Sequence, residues 1–334
     1  MIITRTPFRV SLFGGGTDYP AWYKEHGGAV IGAAIDKYCY LHVRRLPPFF
    51  GHRHRIVYSK IELVDRIDEI AHPVVRAVLE DADLPYGVEI HHAGDLPARA
   101  GLGSSSSFSV GILHALALLQ GQETDKRGLA HDAINLEQVR LAEAVGCQDQ
   151  VWAAYGGFNR IDFPAEGDFS VTPVDVRGGG REELENAMLL VFSGLSRYAH
   201  KIAEKQIASI GDKTAELREM RSMVDSAEAI IAGADNPVAE LGRLLNEGWR
   251  LKRSLHPEVA NDEIDALIEK GLAAGACGAK LLGAGGGGFV LFLCPADRRE
   301  GVLQALSEMI SVPVGMDFTG SIPVVNEPSP DPRG

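Results

Sequence analysis

The segment formed by residues 97–107 is the sequence feature that most restricts how this chain folds. It reads Pro-Ala-Arg-Ala-Gly-Leu-Gly-Ser-Ser-Ser-Ser and leads directly into residues 108–119, where Ala and Leu recur at helical spacing. Gly101 and Gly103 let the backbone turn its amides toward a ligand. The first turn of the following helix adds unpaired N–H groups and the positive end of the helix dipole. The sequence therefore predicts a loop and a helix start that bind phosphate.

Six residues of this loop are predicted to bind a nucleotide: Gly101, Leu102, Gly103, Ser104, Ser105 and Ser106. A Walker A loop ends in Gly-Lys followed by Ser or Thr, and no such lysine is present here, which indicates a different type of phosphate loop. A flexible glycine-serine linker is the alternative interpretation. It fits less well because a linker would not continue into a strongly apolar helix.

Further glycine-rich segments lie near both ends of the sequence. Residues 14–16 are three consecutive glycines after a strand-like segment, and residues 285–288 are four consecutive glycines between apolar strand candidates. A hairpin turn needs only one or two glycines. Close approach of the backbone to a bulky neighbour is the better explanation of these longer runs.

Three motifs, taken together, resemble those of the GHMP kinases, the family of galactokinase, homoserine kinase, mevalonate kinase and phosphomevalonate kinase. They lie at residues 5–18, 97–107 and 278–289. Within that family, three segments have amino-acid sequences most similar to those of the bacterial D-glycero-D-manno-heptose 7-phosphate kinases. These segments are residues 5–19, 46–50 and 249–255. The resemblance implies a kinase that uses ATP and Mg²⁺ to phosphorylate the anomeric hydroxyl of a sugar phosphate.

The chain is expected to be an α+β protein with the two-domain GHMP kinase fold. The resemblance implies a first domain similar to domain 2 of ribosomal protein S5 over residues 1–178 and a ferredoxin-like second domain over residues 181–326, with the active site between them. A polar, glycine-rich break at residues 177–181 lies between two strand candidates and favours this boundary. The tail, residues 327–334, contains three prolines and is predicted to be disordered.

Composition excludes several classes of function. A chain of 334 residues with 45% hydrophobic content is long enough for two domains. Its net charge of −12 argues against broad binding to nucleic acid or to anionic membranes, which requires an excess of Lys and Arg. The four cysteines form no Cys-x-x-Cys pair, and no segment approaches the about 20 apolar residues of a membrane span. We therefore expect a cytoplasmic enzyme acting on a small molecule, and the sequence leaves a monomer and a homodimer both open.

The candidates for the chemistry come from the resemblance to galactokinase. It implies that Asp149 is the catalytic base and is contacted by Arg9. It also implies that Glu137 binds magnesium together with the hydroxyl of Ser104 or Ser105. A neighbouring guanidinium lowers an aspartate pKa and keeps the carboxylate charged, so Asp149 acts either as a true base or as an orienting charge. Taken without the resemblance, Glu137 is typical of a solvated helix face, and Asp149 of a helix N-cap.

The substrate prediction depends on Gly15 and Gly16, which occupy the positions where galactokinase has Glu-His. Losing two side chains opens space, and losing a carboxylate removes repulsion toward an anionic sugar. Asp18 is expected to accept hydrogen bonds from ring hydroxyls. The other predicted substrate contacts are Thr17, Arg197, Lys201, Lys252 and Gly285, with His200 and Arg253 as further cations; for Lys201 and Arg253 a solvated surface charge is an equal alternative. The remaining predicted nucleotide contacts are Gly285, Gly286, Tyr58 and Ser59, the last two in the adenine pocket.

The leading interpretation is phosphorylation of O1 of D-glycero-D-manno-heptose 7-phosphate. Its product, the 1,7-bisphosphate, would enter nucleotide-activated heptose synthesis for lipopolysaccharide or S-layer glycans. An L-fucokinase-like enzyme is the nearest alternative, because such enzymes share the Gly-Gly-x-[Ser/Thr]-Asp opening. A catalytically silent sugar sensor is a third interpretation, and retention of Glu137 and Asp149 argues against it.

Overall fold

The computed structural model describes residues 1–176, 180–194, 199–208, 210–233 and 237–327. The strands of these residues are β1 (Ile2–Phe13), β2 (Gly28–Leu46), β3 (His54–Val57), β4 (Ile61–Val64), β5 (Gly87–Gly94), β6 (Phe158–Phe163), β7 (Ser170–Pro173), β8 (Met188–Phe192), β9 (Gly278–Leu281), β10 (Phe289–Leu293), β11 (Ile310–Pro313) and β12 (Ile322–Asn326). The helices are α1 (Pro20–His26), α2 (Pro73–Ala82), α3 (Ser104–Leu119), α4 (Lys126–Asn135), α5 (Gln148–Tyr155), α6 (Gly180–Ala187), α7 (Ala199–Ala208), α8 (Thr214–Gly233), α9 (Pro237–Leu255), α10 (Asp262–Ala273) and α11 (Arg299–Ala305).

The described strands form two sheets. The larger has eight strands, six of them in the path β12-β1-β2-β5-β3-β4. Of the other two, β6 pairs with residues 28–33 at the beginning of β2, and β7 pairs with β6. All its pairs are antiparallel except β3 with β5. The smaller sheet has the antiparallel order β11-β8-β10-β9. This mixture of helices and mainly antiparallel sheets confirms the predicted α+β class.

The pairing of β1 with β2 changes register twice, at Pro7–Phe8 and again between Ser11 and Phe13. At the second irregularity Leu12 has no partner residue in β2. An irregularity of this kind frees backbone groups from the ladder and redirects the strand. The glycine run at residues 14–16 follows directly, so the strand leads the chain out of the sheet at this point.

Helix α3 packs on β1 and β2 and also contacts α2, α4 and α5. Because it has neighbours on most sides, its apolar residues are buried around nearly the whole helix rather than along one stripe. Gly111 brings the helix close to β1, since a Cβ there would lie 2.9 Å from the Thr6 hydroxyl oxygen. The start of α3 is thereby fixed beside the strand that carries Arg9.

The two central strands of the smaller sheet, β8 and β10, are buried on both faces. Along β8, Met188 and Leu190 join the core shared with the larger sheet, whereas Leu189 and Val191 join a second core. This is the alternation that a strand between two apolar layers requires. Helices α9 and α10 both contact β9.

The last strand returns to the first sheet. β12 pairs with β1, with Ile2 opposite Asn326 and Arg5 opposite Ile322. The predicted limits 1–178 and 181–326 stay a prediction, but Ile322–Asn326 belongs to the larger sheet and not to the second group of strands. Of the predicted disordered tail, residues 328–334 lie outside the described part of the chain. Among the described residues, no helix is both long and apolar enough to cross a membrane.

Candidate active site

A cavity of about 550 Å³ lies where the two groups of elements meet. One wall comes from β1 and the glycine run that follows it, and a second from the loop that leads into α3. The others come from residues 142–149, from the end of α9, and from β9 and the turn after it. The predicted site residues in its lining are Arg9, Gly15, Gly16, Asp18, Gly101, Gly103, Ser104, Ser105, Ser106, Asp149 and Lys252.

The loop before α3 has the conformation that its glycines favour. Gly101 has φ +84° and Gly103, the N-cap of α3, has φ +73°, values that glycine adopts without strain. The Leu102 side chain is buried, and its carbonyl accepts a hydrogen bond of 3.1 Å from the Arg9 N–H. The first turn of α3, residues 104–106, lines the cavity, and the unpaired amides of a helix start are suited to binding an anion.

The second glycine run packs against this loop. A Cβ on Gly283 would lie 2.5 Å from the Gly101 Cα, and one on Gly288 would lie 2.4 Å from the Ala100 carbonyl oxygen. The predicted close approach is therefore present, but the neighbour is protein backbone. Gly285 and Gly286, predicted to contact nucleotide and sugar, lie against Val259 and are not in the cavity lining.

Arg9 and Asp149 form a two-point ion pair. Arg9 Nε and Nη2 donate to the two carboxylate oxygens of Asp149, both at 2.7 Å, and Arg9 Nη1 donates to the Gly101 carbonyl at 2.6 Å. Such bidentate, charge-assisted bonds fix the position of the carboxylate. The N-cap position of α5 is occupied by Cys147, so Asp149 is not the helix cap.

Asp18 is buried close to this pair. Its carboxylate accepts hydrogen bonds from the N–H of Gly16 at 3.0 Å and of Gln148 at 3.3 Å. Burial raises its pKa, and the negative charge of Asp149 raises it further. Thr17, predicted to bind substrate, is fully buried, and its hydroxyl bonds to the carbonyls of Gly14 and Ala29. Thr17 thus holds the turn that presents Gly15 and Gly16.

Glu137 is fully buried in a π-helical turn, Leu136–Arg140, and does not lie on a solvated helix face. Its Oε2 accepts hydrogen bonds from the Ser106 hydroxyl at 2.9 Å and from the Gln150 side chain, while Oε1 has no hydrogen bond of good geometry in the described structure. Burial raises the pKa of Glu137 to about 7.

The hydroxyl beside Glu137 differs from the predicted one. Ser105 is exposed, and Ser104 accepts a hydrogen bond from the Arg99 N–H, whereas Ser106 lies on the buried side of the first helical turn. A buried carboxylate oxygen without a hydrogen bond, next to a hydroxyl, fits the few protein ligands that Mg²⁺ takes. Glu137 and Ser106 are therefore the residues that would hold it, although the described residues contain no group of three or more Asp, Glu, His or Cys side chains that could hold a metal ion.

Sequence reasoning missed Lys280. This residue is buried in β9, and its ammonium group donates to the carbonyls of Ser11 at 3.0 Å and Leu12 at 2.8 Å. Lys252, on α9, is also buried and donates to the carbonyls of Leu281 and Gly283. The signal that could have found Lys280 is a lysine within the otherwise apolar segment Gly278–Leu281.

The other predicted contacts lie elsewhere. Tyr58 packs against the His72 ring, with 4.9 Å between centroids, and neither it nor Ser59 lines the cavity. Arg253 pairs with Asp265 at the surface. Arg197 lies outside the described residues, as do the side chains of His200 and Lys201.

Comparison with known proteins identifies a family whose models match this chain. The model of the GHMP kinases N terminal domain matches residues 69–157, and the model of the GHMP kinases C terminal domain matches residues 226–311, which together make up just over half of the chain. A D-glycero-alpha-D-manno-heptose 7-phosphate kinase of Campylobacter jejuni is 28% identical over 91% of this chain and 93% of its own length. A bifunctional fucokinase/GDP-fucose pyrophosphorylase of Arabidopsis thaliana is 27% identical over 90% of this chain and 31% of its own length.

A crystal structure of a D-glycero-D-manno-heptose 1-phosphate kinase from Bacteroides thetaiotaomicron has the same fold. It superposes with a TM-score of 0.72 and 24% identity, covering 97% of this chain and 98% of the other.

Proposed function

Because the chain belongs to the GHMP kinase family and is a phosphotransferase with an alcohol group as acceptor, we propose that it transfers the terminal phosphoryl group of ATP to a heptose phosphate. The acceptor is O1 of D-glycero-D-manno-heptose 7-phosphate, and the product is the 1,7-bisphosphate. The reaction takes place in the cytoplasm and feeds nucleotide-activated heptose synthesis.

The observation that carries this proposal is the similarity to a heptose 7-phosphate kinase over nearly the full length of both chains. The cavity supports it, since Gly15 and Gly16 line the wall beside Asp18 and place no carboxylate there. Space and the missing negative charge both suit a sugar larger than galactose that carries a phosphate.

Each residue of the site has a separate role in the proposed reaction. Asp18 accepts hydrogen bonds from the ring hydroxyls, and Asp149 orients the reacting hydroxyl and receives its proton as the oxygen attacks the terminal phosphorus. Arg9 holds Asp149 in place through two hydrogen bonds. The amides at the start of α3 bind the nucleotide phosphates. Magnesium, held by Glu137 and Ser106, would neutralise charge on the phosphate oxygens.

An L-fucokinase-like activity is the second candidate, favoured by the similarity to 31% of the length of the bifunctional Arabidopsis relative. The two candidates differ in whether the sugar already carries a phosphate. Arg197 and Lys201 stay the proposed cations for that phosphate. A silent sugar sensor would not need the two-point pair of Arg9 with Asp149.

A coupled assay for ADP release tests the proposal. The purified protein is given ATP, Mg²⁺ and one sugar at a time: each anomer of the heptose 7-phosphate, free heptose, L-fucose and galactose. We expect kcat/KM to be highest for one anomer of the 7-phosphate, and we expect Asp149→Asn to remove the signal. Equal or faster turnover of L-fucose would favour the second candidate, and no turnover of any sugar would favour the sensor.

A further inference from the structure

Two buried lysines line the cavity without a carboxylate partner. Lys252 is 9% exposed and Lys280 is 7% exposed. Each donates hydrogen bonds to two backbone carbonyls, and neither forms an ion pair with a carboxylate within the described parts of the chain. We call these two residues the lysine pair.

A protonated lysine has three N–H donors. The carbonyls use two on each member of the lysine pair, which leaves one N–H per residue with no partner in the described structure. Burying an ammonium without a counter-ion is costly. Accordingly, burial lowers the pKa of Lys252 to about 8 and that of Lys280 well below its usual range, with the positive charge of Arg9 adding to both effects. An anion in the cavity would remove this cost.

A chain of contacts links Lys252 to the proposed catalytic carboxylate. Its ammonium group bonds to the Gly283 carbonyl, and Gly283 packs on the backbone of Gly101. The Gly101 carbonyl accepts from Arg9, which holds Asp149. Lys252 therefore lies at one end of a chain of contacts that passes through the phosphate loop to Asp149, and both residues line the same cavity. The charged groups that act on it are Arg9, Asp18, Asp149 and Lys280.

We propose that Lys252 binds the phosphoryl group while it is being transferred, and that Lys280 is a positioning residue that holds β1 through the carbonyls of Ser11 and Leu12. The proposal rests on the phosphotransferase function but not on the identity of the sugar. During transfer the bond from the terminal phosphorus to the ADP oxygen breaks, and the bond to the sugar oxygen forms. The hydroxyl proton passes to Asp149, and Lys252 keeps its protons throughout.

The competing source of an anion is the phosphate already present on the sugar. Kinetics of Lys252→Met and Lys252→Arg separate the two sources, with Lys213→Met as the matched control because Lys213 pairs with Glu216 in α8 away from the cavity lining. The acceptors are the best phosphorylated sugar and the best unphosphorylated sugar of the wild-type panel.

We expect Lys252→Met to lower kcat on the order of 100-fold for both acceptors, with partial recovery in Lys252→Arg and normal rates in Lys213→Met. A loss confined to the phosphorylated sugar would overturn the proposal and assign Lys252 to the substrate's own phosphate. Near-normal turnover of both would overturn it outright. If the wild type prefers a different sugar, the proposed acceptor fails while this comparison, made on that sugar, still stands.

Proton uptake gives a readout that does not depend on turnover. Binding of the β,γ-imido analogue of ATP and of ADP is measured by calorimetry at about pH 9 in two buffers of different ionisation enthalpy. The wild type should take up more protons with the analogue than with ADP, because only the analogue carries the terminal phosphoryl group that recharges Lys252. Lys252→Arg, which stays charged, should not show this difference. Equal uptake with both nucleotides in the wild type would contradict the proposal.

Discussion

Gly146 and the carboxylate of Asp18 lie in direct contact: a Cβ added to Gly146 would be 1.8 Å from Asp18 Oδ2. The next two residues also bind Asp18. The Cys147 N–H donates to the Asp18 backbone carbonyl, and the Gln148 N–H donates to the Asp18 carboxylate. The segment that precedes Asp149 therefore also fixes Asp18. The proposed sugar-binding carboxylate and the proposed catalytic carboxylate are positioned by one short stretch of backbone.

Gly146→Ala should move Asp18 and weaken sugar binding. Because the clash involves a buried side chain held by two amides, we expect KM for the sugar to rise at least about 10-fold, with a loss of unfolding free energy of about 1–3 kcal/mol. Steady-state kinetics and thermal unfolding measure both effects. Gly211→Ala is the matched control, since a Cβ there meets nothing within 4 Å. Unchanged KM in Gly146→Ala would show that Asp18 does not bind the sugar.

Asp149→Asn should lower kcat by about two to four orders of magnitude while nucleotide affinity stays nearly constant. The amide keeps the shape of the carboxylate but loses its charge and one of the two bonds to Arg9. Steady-state kinetics and nucleotide titration separate the two quantities, and thermal unfolding checks that the variant is folded. Turnover close to that of the wild type would remove Asp149 from its proposed role.

Glu137→Gln should stabilise the magnesium-free protein at neutral pH. The folded state keeps the Glu137 proton up to a pKa of about 7, whereas the unfolded state releases it near the ordinary value of 4.5. The stability that the protonated side chain provides is therefore complete below pH 4.5 and is lost as the pH rises to about 7. The glutamine variant has no such loss, so its advantage should grow over this window to about 3 kcal/mol.

Thermal unfolding of both proteins from pH 5 to pH 8 without Mg²⁺ measures this difference. The same variant should need more Mg²⁺ for half-maximal activity. A constant difference in stability across the pH range would show that Glu137 is ionised when buried. An unchanged Mg²⁺ requirement would remove Glu137 from the metal site.

Gly15→Glu should introduce repulsion between a carboxylate in the cavity and a phosphorylated sugar. A Cβ at Gly15 would lie 3.3 Å from the Ser11 hydroxyl and 3.7 Å from the Gln148 amide, so a side chain fits there with little displacement. We expect KM for a phosphorylated sugar to rise on the order of 10-fold more than KM for the free sugar. Gly15→Gln has the same shape without the charge and is the control. Equal changes for both sugars in Gly15→Glu would contradict the charge argument.

Local sequence patterns were sufficient to predict a glycine-containing loop that leads into a helix, because glycine conformation and helical spacing depend on near neighbours. Phosphate binding by this loop stays a prediction. The segment that packs against this loop could not be predicted from local sequence. Gly283 and Gly288 pack on Gly101 and Ala100 across more than 180 positions of sequence. The sequence indicates that the backbone approaches something, but it does not distinguish a ligand from another backbone segment.

For the site residues, too, contacts between segments distant in sequence could not be predicted from local pattern. The pairing of Arg9 with Asp149 was accessible only through the resemblance, since 140 positions separate them. The structure places the Ser106 hydroxyl against Glu137, rather than that of Ser104 or Ser105, because the direction of a side chain in a first helical turn depends on where the helix begins. The serine that binds magnesium stays a prediction. Lys280 stands out as a lysine in an apolar segment, but the sequence does not indicate its partners, the carbonyls of a strand 268 and 269 positions away.

The position of β12 determines when the larger sheet can be completed during synthesis. Residues 2–5 of β1 lie between β2 and β12, and the partner residues in β12 are 322–326. A ribosome makes β1 first and its outer neighbour more than 300 positions later. Until then the outer edge of this segment has unpaired backbone groups, which can pair with other chains. A nascent or truncated chain that stops before Ile322 should therefore depend on chaperones, even though the cavity residues from Arg9 to Lys280 have all been made.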